Sequence, residues 1–276
     1  HYTLAMLELT QRLAAAAEGG EPVLLAVLVD PGALPLQPGA RLLIEPGGST
    51  LGTLGDPALD AAAADLAADF FARRPAAHTR YFLEGTLRER SAEGVPAVYL
   101  EVVAARPTFL VVGAGHIGRA LARLASFLSY RVAVLDDRPD YADPQLIPEA
   151  DEVICGDFEA ELERFPIGPG TTIVLVTRGH KQDELSLRTC LGRGAAYLGM
   201  IGSRRRTTAV LDHLRAEGFP EHELDRVRTP IGLDIGAETP EEIAVSIIAE
   251  VILLRRGGTG APLYYRARRS ATPARS

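Results

Sequence analysis

From residue 107 onward, the chain alternates short apolar runs with longer stretches of helical character. Each apolar run has the length of a buried strand. The runs span residues 108–112, 131–135, 152–154, 172–176 and 196–199. Continuous apolar strands separated by helices are typical of a parallel sheet covered by helices on both faces. The pattern therefore predicts a doubly wound α/β domain over residues 107–256.

The first hundred residues follow a different order and predict a smaller α+β domain, residues 1–104. Alanine-rich helices are expected over residues 4–18 and 57–74, the second after an Asp-Pro pair that suits a helix start. Four further apolar runs predict strands, at residues 23–29, 41–45, 81–83 and 97–103.

The chain is expected to close with one long helix and a tail. Residues 239–242, Thr-Pro-Glu-Glu, form a strong helix start, and isoleucine and valine side chains follow at helical spacing along one face. The tail, residues 257–276, is rich in glycine, proline and arginine. We expect it to be flexible or to contact a second copy in a homodimer.

Composition and charge narrow the class of protein. The 276 residues carry 29 lysines and arginines against 36 aspartates and glutamates, a net charge of −7. We expect no nucleic-acid binding, which needs a basic face for the phosphates, and no membrane span, which needs roughly 18–20 apolar residues. The absence of a signal-peptide pattern and the low cysteine content predict a cytoplasmic protein. Cys155 is expected in the core, and Cys190 is expected to be buried and inert.

A glycine-rich loop follows the predicted strand at residues 108–112. Residues 113–118, Gly-Ala-Gly-His-Ile-Gly, match Gly-x-Gly-x-x-Gly. In this pattern the first glycine makes a tight turn, the second lets the backbone approach a phosphate, and the third lets the helix pack on the strand. We favour a Rossmann-like domain over a turn that serves packing alone. The candidate cofactor contacts are Gly113, Gly115, His116 and Gly118.

Two carboxylates, Asp136 and Asp137, end the next strand. They lie about 20 residues downstream, where a dinucleotide-binding fold places the acceptor for a ribose hydroxyl. A carboxylate here repels a 2′-phosphate, so a bound dinucleotide would be NAD and not NADP, although the adjacent Arg138 acts in the opposite direction. The alternative interpretation is a solvated acidic turn.

Two basic loops follow later strands. The first presents Arg178, His180 and Lys181. The second opens a helix with Ser203, Arg204, Arg205 and Arg206. Three arginines at the positive end of a helix dipole are unfavourable unless an anion lies beside them, and ligands of such sheets bind at this edge. We interpret both loops as anion-binding. The alternatives are helix capping with a surface histidine for the first loop and a solvated helix start for the second.

A fourth loop, residues 229–238, carries Asp234 and Glu238 before the last helix. It is expected either to cover the crevice or to form an ordered connection. The six histidines are scattered, so we expect no metal site. No catalytic residue is predicted.

The four loops, in this order, resemble the XdhC/CoxI family, the xanthine dehydrogenase accessory factors. The resemblance covers about residues 107–256. The first hundred residues resemble the family's N-terminal domain more loosely, at residues 38–43 and in the glycine-rich turn at residues 47–55. The motifs that carry it lie at residues 113–118, 177–180, 199–205 and 230–236.

The resemblance implies a non-catalytic accessory or chaperone protein that binds molybdenum cofactor (molybdopterin) and holds it during sulfuration. It also implies delivery to a molybdenum hydroxylase apoenzyme of the xanthine or carbon monoxide dehydrogenase type, with a sulfurtransferase as a further partner. The contacts carried over are Gly113, Gly115, His116, Gly118, Arg178, His180, Ser203 and Arg204. One departure is the turn at residues 51–56, which has no cysteine, whereas family members often have one after a Gly-Gly pair. The resemblance therefore does not extend to a cysteine-dependent step.

Two alternatives stay open. An NAD-linked oxidoreductase would use Asp136 for the ribose and His180 as acid or base. A docking scaffold for the dehydrogenase would keep the same fold with a vestigial ligand site.

Overall fold

The computed structural model of the chain describes residues 2–73, 78–90 and 93–263, apart from the side chains of residues 2–5, 73 and 180. The chain divides into two compact units, and the division along the sequence falls between Arg106 and Pro107. Residues 264–276 of the predicted tail lie outside the described residues.

The first unit is an antiparallel sheet packed against two helices. Its described elements are α1 (Tyr2–Ala17), β1 (Val23–Asp30), β2 (Arg41–Ile44), β3 (Thr50–Thr53), α2 (Pro57–Arg73), β4 (His78–Leu83), β5 (Thr86–Arg88) and β6 (Ala97–Val103). The strand order is β3-β2-β1-β6-β4-β5, and every neighbouring pair is antiparallel. The predicted α+β organisation is confirmed, and β3 and β5 are additional strands.

The alternating direction of side chains along each strand explains why the two helices cover opposite faces of this sheet. Leu42 packs in the same cluster as Phe70 of α2, whereas the next residue, Leu43, packs with Leu9 of α1. Successive side chains of a strand point to opposite faces. Each helix therefore buries one apolar face of the same sheet.

The second unit is a parallel sheet with helices on both faces. Its described elements are β7 (Thr108–Val112), α3 (His116–Phe127), β8 (Arg131–Asp136), β9 (Glu152–Cys155), α4 (Phe158–Arg164), β10 (Thr171–Leu175), α5 (His180–Cys190), β11 (Tyr197–Met200), α6 (Arg204–Ala216), α7 (Glu221–Leu224), β12 (Val227–Arg228) and α8 (Pro240–Arg256). The strand order is β12-β11-β10-β7-β8-β9, and all pairs are parallel. The predicted doubly wound sheet is confirmed.

Two buried clusters sandwich this sheet. One joins α3 and α8 to one face, and includes Leu121 and Ile247. The other joins α4, α5 and α6 to the opposite face, and includes Leu162, Leu187 and Leu214. Because both faces are covered, the inner strands are mainly apolar, as the sequence pattern indicates. The edge strands β9 and β12 also carry charged residues, Glu152 and Arg228.

The strand order reverses between β7 and β10. Val112 at the end of β7 pairs with Leu175 of β10 and with Leu135 of β8, so the three strands end nearly level. The loops that follow them therefore start at one edge of the sheet. Ligands of doubly wound sheets bind in the crevice outside such a switch point.

The two cysteines differ in their surroundings. The prediction that Cys155 lies in the core is wrong: it is exposed, because β9 is an edge strand and Cys155 is its last residue. Cys190 is buried as predicted, and burial raises the pKa of its thiol to about 12.

The last helix begins where its sequence predicts. The Thr239 hydroxyl accepts a hydrogen bond from the Glu242 N–H, and the Glu242 carboxylate accepts one from the Thr239 N–H, which makes a complete capping box. Among the helices of the described ranges, none combines the length and apolar character that a membrane crossing requires.

Candidate functional site

The glycine-rich loop between β7 and α3 uses its three glycines in two different ways. Gly113 has a φ of +112°, and a Cβ there would lie 2.6 Å from the carbonyl oxygen of Val176. A Cβ on Gly118 would collide with the carbonyl oxygen of Gly113. A Cβ on Gly115, in contrast, would meet no described atom within 4 Å. The first and third glycines are needed for packing, whereas the second faces open space.

Asp136, the last residue of β8, fixes the shape of this loop. Its Oδ2 accepts a hydrogen bond from the Ala114 N–H at 2.7 Å. The Arg138 guanidinium donates to both carboxylate oxygens, at 2.8 and 2.9 Å. The Asp136 side chain is only 1% exposed. The expected contact of Asp136 with a ribose therefore does not fit this geometry, and its observed partners are the loop and Arg138.

The charge balance at Asp136 is set by these partners. Burial alone would raise the pKa of the carboxyl group, but the hydrogen bonds from Arg138 and from the Ala114 N–H together lower the pKa below its ordinary value of 3.8. Asp136 is therefore ionised at neutral pH and binds the loop as an anion.

Asp137 is the carboxylate that stays accessible at this strand end. Its side chain is 35% exposed, and its Oδ1 lies 4.0 Å from Nη2 of Arg178. The neighbouring Arg138 guanidinium stacks on the Tyr141 ring, 3.5 Å from its centroid. Arg138 is held by Asp136 and Tyr141, and its Nε also lies 3.8 Å from Oδ1 of Asp137. Asp137 is therefore the accessible carboxylate at this position, with Arg138 and Arg178 as nearby cations.

The loop after β10 places the predicted basic residues at the same edge of the parallel sheet. The Arg178 side chain is 62% exposed, and Lys181 is exposed in the first turn of α5. His180 is the first residue of α5, and its side chain lies outside the described part of the chain. Thr177 is turned inward, and its hydroxyl donates a hydrogen bond to Oδ1 of Asp183 at 2.5 Å.

The start of α6 divides its three arginines into two kinds. Arg204 and Arg205 are exposed. Arg206 is half-buried, and its Nη2 forms an ion pair with Oδ2 of Asp183. Ser203 is the N-cap, and its hydroxyl accepts a hydrogen bond from the Arg206 N–H at 3.4 Å. Two of the predicted anion contacts are thus accessible cations, while Ser203 already caps the helix.

The two helix starts at the switch point differ from those of the other long helices described in this unit. Among the described side chains, none caps α3 or α5, whose N-cap residues are Gly115 and Gly179. Side chains of Asp157, Ser203 and Thr239 cap α4, α6 and α8. The four-residue α7, with Pro220 as its N-cap, has no side-chain cap either. Of the longer helices described in this unit, the two without a side-chain cap follow β7 and β10, the strands on either side of the switch point. Their N–H groups and dipoles favour an anion in the crevice.

The fourth loop is tied to α8. Oε2 of Glu250 accepts hydrogen bonds from the Gly232 N–H at 3.0 Å and from the Tyr197 hydroxyl at 2.6 Å. Burial first, and then the bond to Glu250, raise the pKa of Tyr197. Asp234 and Glu238 are exposed. The structure shows an anchored connection, and a covering role for the two carboxylates stays a prediction.

One further charged group lies on the surface of α5 and α6. Nδ1 of His213 is 2.8 Å from Oε1 of Glu184, and Nε2 is 3.4 Å from Oε1 of Glu217. These atoms are close enough together to hold a metal ion. Arg188, however, donates to both carboxylates, at 3.0 and 2.7 Å, so a resident cation already balances them.

Sequence reasoning did not single out Asp183 and Glu250. These carboxylates hold the loop after β10 and the loop at residues 229–238. An acidic residue in a first helical turn is a common helix-start feature, and Asp183 has that position in α5. The sequence offers no comparable signal for Glu250, which lies in the last part of α8.

These features define a two-unit α/β protein whose C-terminal unit has the Rossmann strand order and a basic, anion-favouring switch point. Residues 109–251 match the XdhC Rossmann domain, and residues 16–82 match the XdhC and CoxI family. The chain belongs to the XdhC and CoxI family.

Two curated proteins are similar to this chain in sequence. The chain is 30% identical over 247 residues to the uncharacterized protein YqeB of Escherichia coli strain K12, covering 87% of this chain and 44% of that protein. It is 33% identical over 159 residues to a probable xanthine dehydrogenase subunit from Bacillus subtilis strain 168, covering 58% and 46%. The chain thus spans less than half the length of these curated relatives.

A solved structure shares the fold over both units. It is described as a xanthine dehydrogenase from Bacillus halodurans, and it superposes with a TM-score of 0.53 and 21% sequence identity. The match covers 94% of this chain and 98% of that one.

Proposed function

We propose that this chain is an accessory protein of a xanthine dehydrogenase-type molybdenum hydroxylase, and that its Rossmann unit binds the phosphate-bearing molybdenum cofactor. The proposal draws on the family and on the name of the Bacillus subtilis relative. The observation that carries it is the open space at Gly115, next to helix starts that have no side-chain cap among the described residues. A phosphate in that space would accept from the loop N–H groups.

The residues present suit such an anion. The loop of Gly113, Gly115 and Gly118 offers main-chain donors, and exposed cations stand after β10 and at the start of α6. Those cations are Arg178, Arg204 and Arg205. Arginine suits phosphate because its planar guanidinium can donate two parallel hydrogen bonds. His116, exposed in the first turn of α3, and His180 and Ser203 are proposed as further contacts.

When bound, the cofactor would supply the molybdenum chemistry of the client enzyme, and this chain would hold and orient it. We propose that the chain keeps the cofactor during sulfuration by a sulfurtransferase and then delivers it to the apoenzyme. A homodimer and a cytoplasmic location are parts of the same proposal.

The test is co-purification of the cofactor with matched variants of the full chain. The protein is isolated from cells that make molybdenum cofactor, and molybdenum is measured by mass spectrometry and the pterin by fluorescence after oxidation. Replacing both Arg204 and Arg205 by alanine is expected to lower the bound pterin at least about tenfold, the effect of losing about 1.4 kcal/mol. Arg164→Ala removes a 74% exposed arginine of α4 and serves as the control.

Retention of the pterin by the double variant would contradict the assigned site. Equal loss in the Arg164→Ala control would show that binding depends on overall charge, which would also contradict it.

The strand order and the glycine-rich loop also favour an NAD-linked activity as a second candidate. In that case Asp137, and not the buried Asp136, would accept the ribose hydroxyl groups. Calorimetric titration with NAD separates the two proposals, since saturable NAD binding without pterin binding would favour the oxidoreductase. Capture of the apoenzyme by a chain that binds neither ligand would favour a docking scaffold.

A further inference from the structure

Asp183 contacts two of the basic loops at once. It lies in the first turn of α5 and is fully buried, at 0% exposure. Its Oδ1 accepts a hydrogen bond from the Thr177 hydroxyl at 2.5 Å, in the loop after β10. Its Oδ2 accepts one from Nη2 of Arg206, in the first turn of α6. One buried carboxylate therefore connects two segments that are far apart in the sequence.

The two partners of Asp183 stand directly beside exposed cations. Thr177 precedes Arg178, and Arg206 follows Arg205. Fixing Thr177 and Arg206 to one carboxylate restricts the backbone from which those cations extend. A ligand site is effective when its groups are held in position before the ligand arrives.

We infer that Asp183 is the positioning residue that holds the loop after β10 and the start of α6 in one arrangement, so that their arginines act on the same anion. The inference rests on the proposed function, because it takes the anion-binding role of these loops from it. Asp136 offers a parallel within the same unit, since it binds Ala114 in the first loop and pairs with Arg138.

The ion pair between Asp183 and Arg206 also explains how one of the cations at the start of α6 is accommodated. Three consecutive arginines stand at the positive end of α6, where cations are disfavoured. Asp183 is the resident counterion for one of them, Arg206. Only Arg204 and Arg205 are exposed there, and these are the two that an external anion would neutralise.

The first test measures order without any ligand, in the full-length Asp183→Asn variant. Asparagine has nearly the same shape, but it removes the charge that faces Arg206. Amide hydrogen exchange is expected to become about tenfold faster at residues 183–185 and 206–207, whose amides are hydrogen-bonded at the starts of α5 and α6, because stability is lost locally. Exchange is expected to stay unchanged at the hydrogen-bonded amides of Gly113 and Ala114. Unchanged exchange at both segments, or a uniform increase across the unit, would overturn the inference.

Two milder variants keep the inference testable if Asp183→Asn does not fold. Thr177→Val removes one hydrogen bond and is expected to speed exchange at residues 183–185 only. Arg206→Gln removes the ion pair and is expected to speed exchange at residues 206–207 only. The inference fails if neither variant changes its own segment.

The second test asks whether the arginines cooperate through Asp183, with inorganic pyrophosphate as the probe in calorimetry. Arg204→Ala is expected to weaken pyrophosphate binding about tenfold in the wild-type background but less than about threefold in Asp183→Asn, because groups in one network couple. A residue that merely supports folding would leave the two losses equal and additive, which would overturn the inference.

The two tests separate this inference from the proposed function. If the wild-type chain binds no pyrophosphate, the anion site of the proposed function fails, and hydrogen exchange still decides whether Asp183 orders the two segments. If pyrophosphate binds but exchange is unchanged in Asp183→Asn, the positioning role fails and the anion site stands.

Discussion

Oδ2 of Asp136 accepts a 2.7 Å hydrogen bond from the Ala114 N–H, 22 residues earlier in the chain. Strands β7 and β8 are neighbours in the sheet, and this bond joins the last residue of β8 to the loop that follows β7. In dinucleotide-binding folds a carboxylate at this strand end contacts a ribose. Here it holds the loop that would contact the phosphate.

Replacing Asp136 with asparagine is expected to destabilise the protein by about 2–3 kcal/mol, because a buried charged acceptor is lost and Arg138 keeps only the longer, 3.8 Å ion pair with Asp137. The midpoint of urea denaturation, followed by circular dichroism, measures the change. Asp137→Asn is the matched control at the next, exposed residue, with an expected change within about 0.5 kcal/mol. Equal effects of the two variants would contradict the role given to Asp136.

The ion pair between Asp136 and Arg138 also predicts that the stability of the protein depends on pH. The pKa of Asp136 is lower in the folded protein than its ordinary value of 3.8, so its contribution to stability is complete above that value and is lost as the pH falls through the folded pKa. The stability difference between wild type and Asp136→Asn is expected to be constant from about pH 7 to about pH 5 and to shrink below pH 3.8. Denaturation midpoints across this range test it; a difference that grows in acid would refute it.

The three loop glycines allow stability and binding to be separated. Gly118→Ala places a methyl group against the Gly113 carbonyl and is expected to cost about 2–4 kcal/mol of stability. Gly115→Ala meets open space, so it is expected to cost less than about 1 kcal/mol while weakening pyrophosphate binding at least about tenfold. Unchanged affinity in a stable Gly115→Ala protein would show that no phosphate binds there.

Much of this fold is predictable from the sequence because its physical determinants are local. A buried strand between helices needs a continuous apolar run, as at Thr108–Val112. The start of the last helix is predictable from the capping-box sequence at Thr239. Strands β3, β5 and β12 escape prediction because they contain no continuous apolar run, and at least half of the residues in each are exposed.

The site is less predictable because its organisation is non-local. Asp136 is visible in the sequence as an acidic strand end, but its bond to Ala114 exists only once two strands are adjacent. Asp183 and Arg206 are 23 residues apart, and no sequence pattern indicates that they pair. Sequence patterns thus locate the loops, while folding decides which charges are balanced internally and which stay accessible.

The two cysteines are expected to react very differently with an aromatic disulfide reagent. Cys155 is exposed and is expected to react within minutes in the native protein. Cys190 is buried with its pKa raised to about 12, so almost no thiolate forms and it is expected to react only after denaturation. Absorbance of the released thiol counts the reactive groups, and Cys155→Ser should abolish the native-state signal. A native signal that persists in that variant would contradict the burial of Cys190.

The start of α6 should show opposing effects on stability and binding. Arg205 is exposed in the first turn of that helix, where a cation is unfavourable and a carboxylate favourable. Arg205→Glu is therefore expected to stabilise the ligand-free protein by about 0.5–1 kcal/mol while weakening pyrophosphate binding at least about tenfold. Thermal denaturation and calorimetry on the same preparation measure both quantities.

Arg215→Glu, near the other end of the same helix, reverses charge where a cation is favourable and removes ion pairs with Asp212 and Glu221. It is expected to lower stability and leave pyrophosphate affinity unchanged. If Arg205→Glu instead destabilised the protein and bound pyrophosphate normally, Arg205 would be part of the structure and not of an anion site. The opposite signs expected for these two variants follow from one helix dipole, and the proposed anion site at its positive end would account for an arginine where a cation costs stability.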